Sequence, residues 1–339
     1  MLRPAISYAQ RYEDLHLWRC FDGQHDGFYI DVGAGNPVYD NVSFSFYLSG
    51  WRGIAVEPNP SLAALGRAVR PRDYLYEGLA GTRPGEATLY LQHEFHGLST
   101  TIAEQARIAE KELGRSAEAL TRPVTTLAAL CEAHAPATFD FLKIDVEGAE
   151  ADVLRGADFR RFRPKVIVVE AYKPITMEPA FGEWEPLLTE HGYSLAWDDE
   201  LNRYYVAHEA GALAGALAAG PMSYPDVPKV SSFKPAADSP AHPDHRLAVA
   251  LRELDLAKLP LASRAVLFDI LTAGLADLDR PASDKDFAAI TDKLLGQPPA
   301  MQQIPSLQSD ETIRDAYRRI IDSDAFHAAR GRISASYAW

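Results

Sequence analysis

Five carboxylate side chains lie at or just after the ends of short apolar runs in the first half of the chain. They are Asp31, Glu57, Asp145, Glu147 and Glu170. One acid at such a position commonly caps the next helix, because the first backbone amides of a helix have no partner within it. Five acids at one edge of a sheet are better explained by a site that binds a polar small molecule, where carboxylates accept hydrogen bonds and protons.

Asp31 and Glu57 form the most specific pair among these acids. Asp31 closes the apolar run in GFYIDV and is followed by Gly33 and Gly35, whereas Glu57 closes the next run, GIAVEP. In nucleotide-binding folds the second acid accepts hydrogen bonds from both ribose hydroxyls, and glycines let a ligand lie against the backbone. We therefore predict a set of cofactor-binding residues: Asp31, Gly33, Ala34, Gly35, Asn36, Glu57, Pro58 and Asp145.

The glycine pattern separates two classes of cofactor. A dinucleotide site has a third glycine or alanine beside the helix that binds pyrophosphate, but Val38 occupies that position here. The D-x-G-x-G pattern that starts at Asp31 suits S-adenosylmethionine, which has an ammonium group for an acid to bind and no pyrophosphate. We predict S-adenosylmethionine as the cofactor and keep NAD, in an NAD-dependent oxidoreductase, as the alternative.

Alternating strands and helices must position these acids. Strands are predicted at 28–33, 53–58, 74–80, 139–146 and 165–171, with helices between them. The last two are nearly continuous apolar runs, as is typical of strands covered on both faces. YSLAWDD and RYYVAHE, joined by a turn, predict an antiparallel hairpin at the sheet edge. The fold class is therefore α/β, with a doubly wound, mostly parallel sheet that binds its ligand beyond the carboxyl ends of the strands.

Two further segments lie between the third and fourth predicted strands. ATLYLQ predicts an extra strand, and residues 102–121 form a polar segment that favours a helix. The polar segment is either a lid over the site or a solvated surface helix.

Five stretches of the chain together resemble the FkbM-like family of S-adenosylmethionine-dependent methyltransferases. They are SYAQRYEDL, GFYIDVGAGNP, GWRGIAVEPNP, TFDFLKIDVEGAEADVLRG and ELNRYYVAHE, and they span about residues 7–209. The resemblance implies a class I methyltransferase fold, which is Rossmann-like, and O-methylation of a hydroxyl on a sugar, glycan or secondary metabolite. It also implies cofactor roles for Asp31, Gly33, Gly35 and Glu57, and a site role for the segment from Asp145 to Glu147.

A hydroxyl acceptor must lose its proton during methyl transfer, because its pKa lies near that of bulk water, about 15.7. A base or a metal ion can meet this requirement. The candidate bases are Asp145, Glu147, His93 and His96. The candidate metal ligands are Asp145 and Glu170, whose oxygen atoms suit Mg²⁺. In the alternative, Lys173 neutralises Glu170 and no metal is bound.

Three regions of different composition are predicted. Residues 1–209 form the methyltransferase domain, residues 210–244 a linker rich in Ala, Gly, Pro and Ser, and residues 245–339 a small all-α accessory region. The helical region is predicted to dock on the first domain, to form a homo-oligomer or to bind a pathway partner. If activity has been lost, the chain is instead a methyltransferase-like binding or scaffold module.

The overall charge, the cysteines and the lengths of the apolar runs argue against several classes of protein. The 339 residues carry a formal net charge of -13, which disfavours a nucleic-acid partner because such sites usually need a basic face. Cys20 and Cys131 lack metal-ligand spacing and the density of a disulfide scaffold. No apolar run is long enough for a membrane span, so a cytoplasmic protein that acts on a small-molecule or glycan acceptor is expected.

Overall fold

The computed structural model describes residues 4–93, 96–173, 176–296 and 305–337. In these residues the chain forms two β-sheets. The strands are β1 (Phe28–Val32), β2 (Arg52–Val56), β3 (Tyr74–Tyr76), β4 (Leu79–Ala80), β5 (Gly85–Leu91), β6 (Glu118–Thr125), β7 (Thr138–Ile144), β8 (Arg163–Glu170), β9 (Tyr193–Asp198) and β10 (Asn202–Ala207). The main sheet has the strand order β3-β2-β1-β7-β8-β10-β9.

The main sheet confirms the predicted doubly wound fold with a hairpin at its edge. β3, β2, β1, β7 and β8 run parallel, and β10 is antiparallel to both of its neighbours, β8 and β9. The strand order reverses at β1, because the chain builds outward through β2 and β3 and then returns to place β7 on the other side of β1. The crevice beyond the carboxyl ends of strands at such a switch point is where α/β sheets bind ligands.

Successive side chains in the central strands alternate between two apolar cores, one on each face of the sheet. Tyr29 and Phe141 belong to the first core, whereas Ile30 and Leu142 belong to the second. The four apolar residues 166–169 of β8 divide between the cores in the same way and are fully buried. Burial on both faces explains why β7 and β8 have nearly continuous apolar sequences.

Helices cover both faces of the sheet and then continue into the C-terminal region. Those up to residue 218 are α1 (Glu13–Trp18), α2 (Phe44–Leu48), α3 (Pro60–Val69), α4 (Ala103–Leu113), α5 (Leu127–His134), α6 (Glu150–Arg155), α7 (Glu185–Thr189) and α8 (Ala212–Ala218). The later ones are α9 (His245–Ala250), α10 (Arg264–Thr272), α11 (Asp284–Leu295), α12 (Ile313–Ile321) and α13 (Asp324–Ala335). None of the helices in the described residues combines the length and the hydropathy that a membrane-spanning helix needs.

A second, three-stranded sheet interrupts the predicted order of elements. The sequence predicts one strand over 74–80, but the chain leaves the main sheet after β3 and resumes as β4 beside β6. Between them, Gly78 packs so closely on Pro123 that a Cβ atom would lie 2.6 Å from the Pro123 backbone oxygen. The prediction of a single strand over residues 74–80 is therefore wrong. β5, which joins β6 in the small sheet, confirms the predicted extra strand.

The polar segment 102–121 contains both a helix and the start of a strand. α4 ends at Leu113, Gly114 follows with a φ of +67°, and the chain enters β6 at Glu118. Glycine commonly ends helices in this conformation because it has no Cβ atom to clash with the backbone. β6 pairs with β5 from Glu118 to Val124, and this pairing overrides the helix-favouring composition around residue 120.

The C-terminal helices have a core of their own and contact the sheet domain through α13. Apolar side chains of α9 to α13 form that core. At the contact, a Cβ atom on Gly331 would lie 2.6 Å from a methyl carbon of Val69 and 3.1 Å from one of Val38. Arg332 and Asp244 form a fully buried ion pair with a nitrogen–oxygen distance of 2.7 Å. The helical region therefore rests directly on α3 and on the loop that follows β1.

The predicted linker is fastened to the N-terminal residues. It contains α8, in which Leu217 is fully buried, and Arg19 donates a hydrogen bond of 2.7 Å to the backbone oxygen of Leu217. Further along, Ser7 and Lys229 form a parallel β-bridge. The division of the chain at residues 209 and 244 stays a prediction.

Candidate functional site

A cavity of about 720 Å³ opens beyond the carboxyl ends of β1, β2, β7 and β8, at the switch point of the sheet. The residues predicted to bind a cofactor all line it: Asp31, Gly33, Ala34, Gly35, Asn36, Glu57, Pro58 and Asp145. Glu147 and Glu170 line it as well. The fold thus brings together all five strand-end acids in one cavity.

The floor of the cavity is bare backbone at Gly33. The residue has a φ of +77°, and a Cβ atom built on it would lie 1.7 Å from the backbone oxygen of Asp145. The backbone amide of Asp145 donates a hydrogen bond of 3.0 Å to the oxygen of Val32, which continues the ladder between β1 and β7. Only glycine fits at this junction, because any side chain would collide with the neighbouring strand end.

Glu57 ties the glycine loop to the start of α3. Its two carboxylate oxygens accept hydrogen bonds of 2.7 Å from the backbone amides of Gly35 and Asn59. Burial raises the pKa of Glu57 to about 7, against the opposing effect of these two hydrogen bonds. Each oxygen keeps a second lone pair, so the carboxylate can still accept hydrogen bonds from a ligand in the cavity.

Two asparagines shape the loop that follows the glycines. Asn36 Oδ1 accepts hydrogen bonds from the backbone amides of Val38 (3.0 Å) and Tyr39 (2.9 Å), the pattern of an asparagine-stabilised turn. The side-chain amide of Asn41 donates to the backbone oxygens of Ala34 (2.9 Å) and Asn36 (3.2 Å). The loop is therefore held by its own side chains, without a third glycine.

Asp145, Glu147 and Glu170 form an acidic cluster in which one oxygen from each lies within 4.8 Å of the others. Lys143 Nζ is 2.6 Å from Asp145 Oδ2. Burial, and next the charge of Asp145, raise the pKa values of Glu147 and Glu170 well above the usual carboxyl range. Although burial opposes it, the charge of Lys143 lowers the pKa of Asp145. The cluster therefore holds one firmly ionised acid and two that retain protons more strongly.

Glu147 occupies an unusual backbone position with an unpaired carboxylate oxygen. Its φ is +52°, which is uncommon for a residue other than glycine. Thr100 Oγ1 donates a hydrogen bond of 2.7 Å to its backbone oxygen, whereas its Oε2 is buried without a hydrogen-bond partner. A cavity-lining residue that combines an uncommon backbone conformation with an unsatisfied carboxylate oxygen is typical of a functional position.

Of the other two predicted catalytic candidates, the structure describes the side chain of one, His93. His93 is exposed and its Nε2 lies 2.7 Å from Glu118 Oε2, outside the residues that line the cavity. The side chain of His96 lies outside the described part of the structure. Lys173, predicted as an alternative partner of Glu170, pairs with Glu178 at 2.9 Å. The lysine of the acidic cluster is instead Lys143.

Lys143 is a site residue that the sequence predictions omit. It is 6% exposed and lines the cavity. The signal is its position in the apolar run FLKID, two residues before Asp145, because side chains two apart in a strand point to the same face. A lysine inside an otherwise apolar strand needs an anionic partner, and Asp145 is the acid at that spacing.

The insertion after β5 also reaches the cavity. Residues 97–101 line it, and a Cβ atom on Gly148 would lie 2.5 Å from the side-chain nitrogen of Gln105 in α4. α4 therefore covers the loop that carries Glu147. Whether it acts as a lid stays a prediction.

Comparison with known proteins agrees with this geometry at the level of family. The family model described as Methyltransferase FkbM domain matches residues 31–195. No curated protein and no solved structure shows a significant match to the chain. The matched region begins at Asp31 and extends into β9, so it contains the strand ends that form the cavity and excludes the C-terminal helices. Residues 31–195 are therefore similar to the FkbM methyltransferase domain family.

Proposed function

We propose that the protein is an S-adenosylmethionine-dependent O-methyltransferase whose acceptor is a hydroxyl group of a sugar, glycan or secondary metabolite. The observation that carries the proposal is the arrangement around one cavity of Asp31, the bare backbone at Gly33, and Glu57. The family match supports methyl transfer as the reaction class. The O-methyl specificity and the acceptor class are the parts that we add.

The residues of the cavity fit the cofactor. When bound, S-adenosylmethionine supplies a methyl group on a sulfonium centre that a hydroxyl oxygen can attack. Glu57 accepts the ribose hydroxyls, Asp31 binds the ammonium group, and Gly33 and Gly35 let the ligand lie against the backbone. A dinucleotide fits less well, because Val38 is fully buried where the fingerprint requires a third small residue.

Glu147 is our choice for the general base. Its raised pKa makes it a stronger base than an ordinary carboxylate, and its Oε2 has no competing donor in the described residues. The positive charge of Lys143 nearby favours the ionised form that must take up the acceptor proton. Asp145, which is already paired with Lys143, is left with a positioning role for the acceptor hydroxyl.

A divalent metal is the alternative to a base acting alone. Asp145, Glu147 and Glu170 offer three carboxylate oxygens at close range, and such hard donors suit Mg²⁺. The cluster already contains one cation, Lys143, and for this reason we place the base first. Removal of divalent metal should then leave methyl transfer intact, whereas a metal-dependent reaction should stop.

The charges that line the cavity favour an acceptor without phosphate groups. Beside the five strand-end acids, Asp40 and Asp152 line it, and the cations among the described lining residues are Arg83 and Lys143. A phosphate about 8 Å from one unpaired carboxylate is repelled by roughly 2 kcal/mol at an effective dielectric constant near 20. We therefore propose a neutral or amine-bearing acceptor.

The proposal is tested by measuring release of S-adenosylhomocysteine with a panel of hydroxylated acceptors. The panel contains neutral sugars, amino sugars and sugar phosphates, each with EDTA or with Mg²⁺. We expect turnover with a neutral or amino sugar in EDTA, and a loss of at least about a hundredfold in Glu147→Gln, as for removal of a general base. Turnover confined to sugar phosphates would refute the acceptor class, and turnover only with Mg²⁺ would refute the metal-free route.

A further inference from the structure

Asp31 is held in place by a buried hydroxyl group. Ser43 Oγ donates a hydrogen bond of 2.5 Å to Asp31 Oδ2. Asp31 is 2% exposed and Ser43 is fully buried, so water does not compete for this contact. Ser43 immediately precedes α2, and the helix fixes the backbone from which the hydroxyl projects.

Arg70 determines which way the hydroxyl of Ser43 points. Its Nη2 lies 2.9 Å from Ser43 Oγ, and a guanidinium group can only donate hydrogen bonds. The oxygen of Ser43 must therefore accept from Arg70, which leaves its single proton for another acceptor. The two candidates are Asp31 Oδ2 at 2.5 Å and Asn41 Oδ1 at 3.1 Å. The shorter distance and the carboxylate charge favour Asp31.

The guanidinium group of Arg70 is held in place by hydrogen bonds to buried side chains. It is 3% exposed, its Nε donates a hydrogen bond of 2.8 Å to Asp73 Oδ2, and its Nη2 donates one of 2.8 Å to the hydroxyl of Tyr29. Its Nη1 donates to Asn41 Oδ1 at 3.1 Å, and Asn41 holds the backbone oxygen of Ala34. One buried cation thus supports both the acid at the end of β1 and the loop that follows it.

We propose that Ser43 is a positioning residue that orients the carboxylate of Asp31 toward the amino-acid end of the cofactor, with Arg70 holding Ser43 in its donating orientation. This inference rests on the proposed function, in which Asp31 binds the ammonium group. A network that only stabilised the fold would affect every ligand of the cavity alike. A positioning role for Ser43 would affect only ligands that carry the ammonium group.

Two ligands of the cavity separate these roles. S-Adenosylhomocysteine carries the amino-acid end, whereas 5′-methylthioadenosine keeps the adenosine and the sulfur but lacks that end. In Ser43→Ala, Asp31 loses its donor, and we expect the dissociation constant for S-adenosylhomocysteine to rise about tenfold, as for loss of a hydrogen bond to a charged group. The constant for 5′-methylthioadenosine should change less than about twofold. Titration calorimetry measures both constants.

Ser45→Ala is the matched control. Ser45 lies in α2, two residues after Ser43, and is buried, but its hydroxyl oxygen accepts a hydrogen bond of 3.0 Å from Trp18 Nε1. This variant should shift the melting temperature without changing the ratio of the two dissociation constants. Ser43→Thr, which keeps the hydroxyl, should restore the wild-type ratio.

The outcomes distinguish this inference from the proposed function. Equal weakening of both ligands in Ser43→Ala, or no weakening of either, would overturn the positioning role. A wild-type protein that binds neither ligand would overturn the proposed function, and the inference with it. A larger change for S-adenosylhomocysteine in Ser43→Ala, absent in Ser45→Ala, is the result that the geometry predicts.

Discussion

The backbone oxygen of Asp145 lies 1.7 Å from the position that a Cβ atom would take on Gly33, so the ends of β1 and β7 meet with no room for a side chain. This contact forms the floor of the cavity and joins the glycine loop to the acidic cluster. It requires glycine for two reasons, the positive φ of +77° and the lack of space.

Gly33→Ala should therefore be more destabilising than Gly35→Ala. Both residues have positive φ, but a Cβ atom on Gly35 would meet nothing within 4 Å. We expect Gly35→Ala to cost about 1–2 kcal/mol of unfolding free energy from backbone strain alone. Gly33→Ala should cost about 1–3 kcal/mol more, because it also overpacks the strand junction. Urea denaturation of the two variants checks the difference, and equal costs would contradict the packing described here.

Cofactor affinity should depend on pH through Glu57. Because burial raises its pKa to about 7, the side chain is partly protonated near neutral pH. Only the ionised form offers an acceptor to each ribose hydroxyl, so affinity for S-adenosylhomocysteine should increase between about pH 6 and about pH 8. Equilibrium dialysis should show this increase in the wild type. Glu57→Gln should bind about tenfold more weakly at the higher pH and show a smaller pH dependence.

Equal affinities of the wild type and Glu57→Gln at the higher pH would reject the ribose-binding role of Glu57. An increase with pH that persists unchanged in the variant would assign the titration to another group.

Folding stability should also depend on pH through Glu147. Its pKa is raised in the folded protein, so the folded state binds more protons than the unfolded state above the ordinary carboxyl range. The associated stability is present at low pH and is lost as the pH rises. The side chain in Glu147→Gln cannot ionise, so this variant should not lose that stability. The unfolding free energy of the variant minus that of the wild type should therefore increase between about pH 5 and about pH 8. Urea denaturation of both proteins at the two pH values measures this increase.

A constant difference between wild type and Glu147→Gln across this range would contradict the raised pKa of Glu147. Repeating the wild-type measurement with Mg²⁺ tests the metal alternative, since a bound cation would remove the loss of stability at the higher pH.

Removal of the ammonium group of Lys143 should leave Asp145 without its cation. We expect Lys143→Met to lower the unfolding free energy by about 1–3 kcal/mol, because the half-buried carboxylate of Asp145 loses its cationic partner. Adding Asp145→Asn in the same chain should recover part of that loss. Lys173→Met is the control, since Lys173 pairs with Glu178 at 2.9 Å and both side chains are at least half exposed, and exposed pairs contribute at most about 1 kcal/mol.

No recovery in the double variant would show that Lys143 stabilises the fold through contacts other than Asp145. A loss in Lys173→Met as large as that in Lys143→Met would show that burial does not set the difference.

The main sheet was predictable because its central strands are buried on both faces. Continuous apolar runs mark β7 and β8, and the acids that follow them mark the strand ends that meet at the cavity. The break between β3 and β4 and the strand β6 were not predictable from local pattern. β4 has two residues and β6 contains Pro123, so their conformation depends on pairing with each other and with β5.

The site residues were predictable where residue types and their spacing within a short segment identify them. Asp31, Gly33 and Glu57 stand out by residue type and spacing, and the cavity contains all of them. Ser43 and Arg70 carry no such signal, because the contact that links them joins residues far apart in the chain and depends on how α2 and α3 meet beside β1. Lys143 was recognisable in principle from its spacing to Asp145, whereas the exposed His93 shows that the right residue type in a nearby loop does not place a side chain in the cavity.

The most direct test of the central claim is calorimetric titration of the purified, nucleotide-free protein with S-adenosylhomocysteine, and with NAD under the same conditions, each with and without Mg²⁺. The cavity described here predicts saturable binding of S-adenosylhomocysteine in all conditions and no binding of NAD. Binding of NAD alone would contradict the cofactor assignment, and binding of neither ligand would favour a scaffold role for the chain.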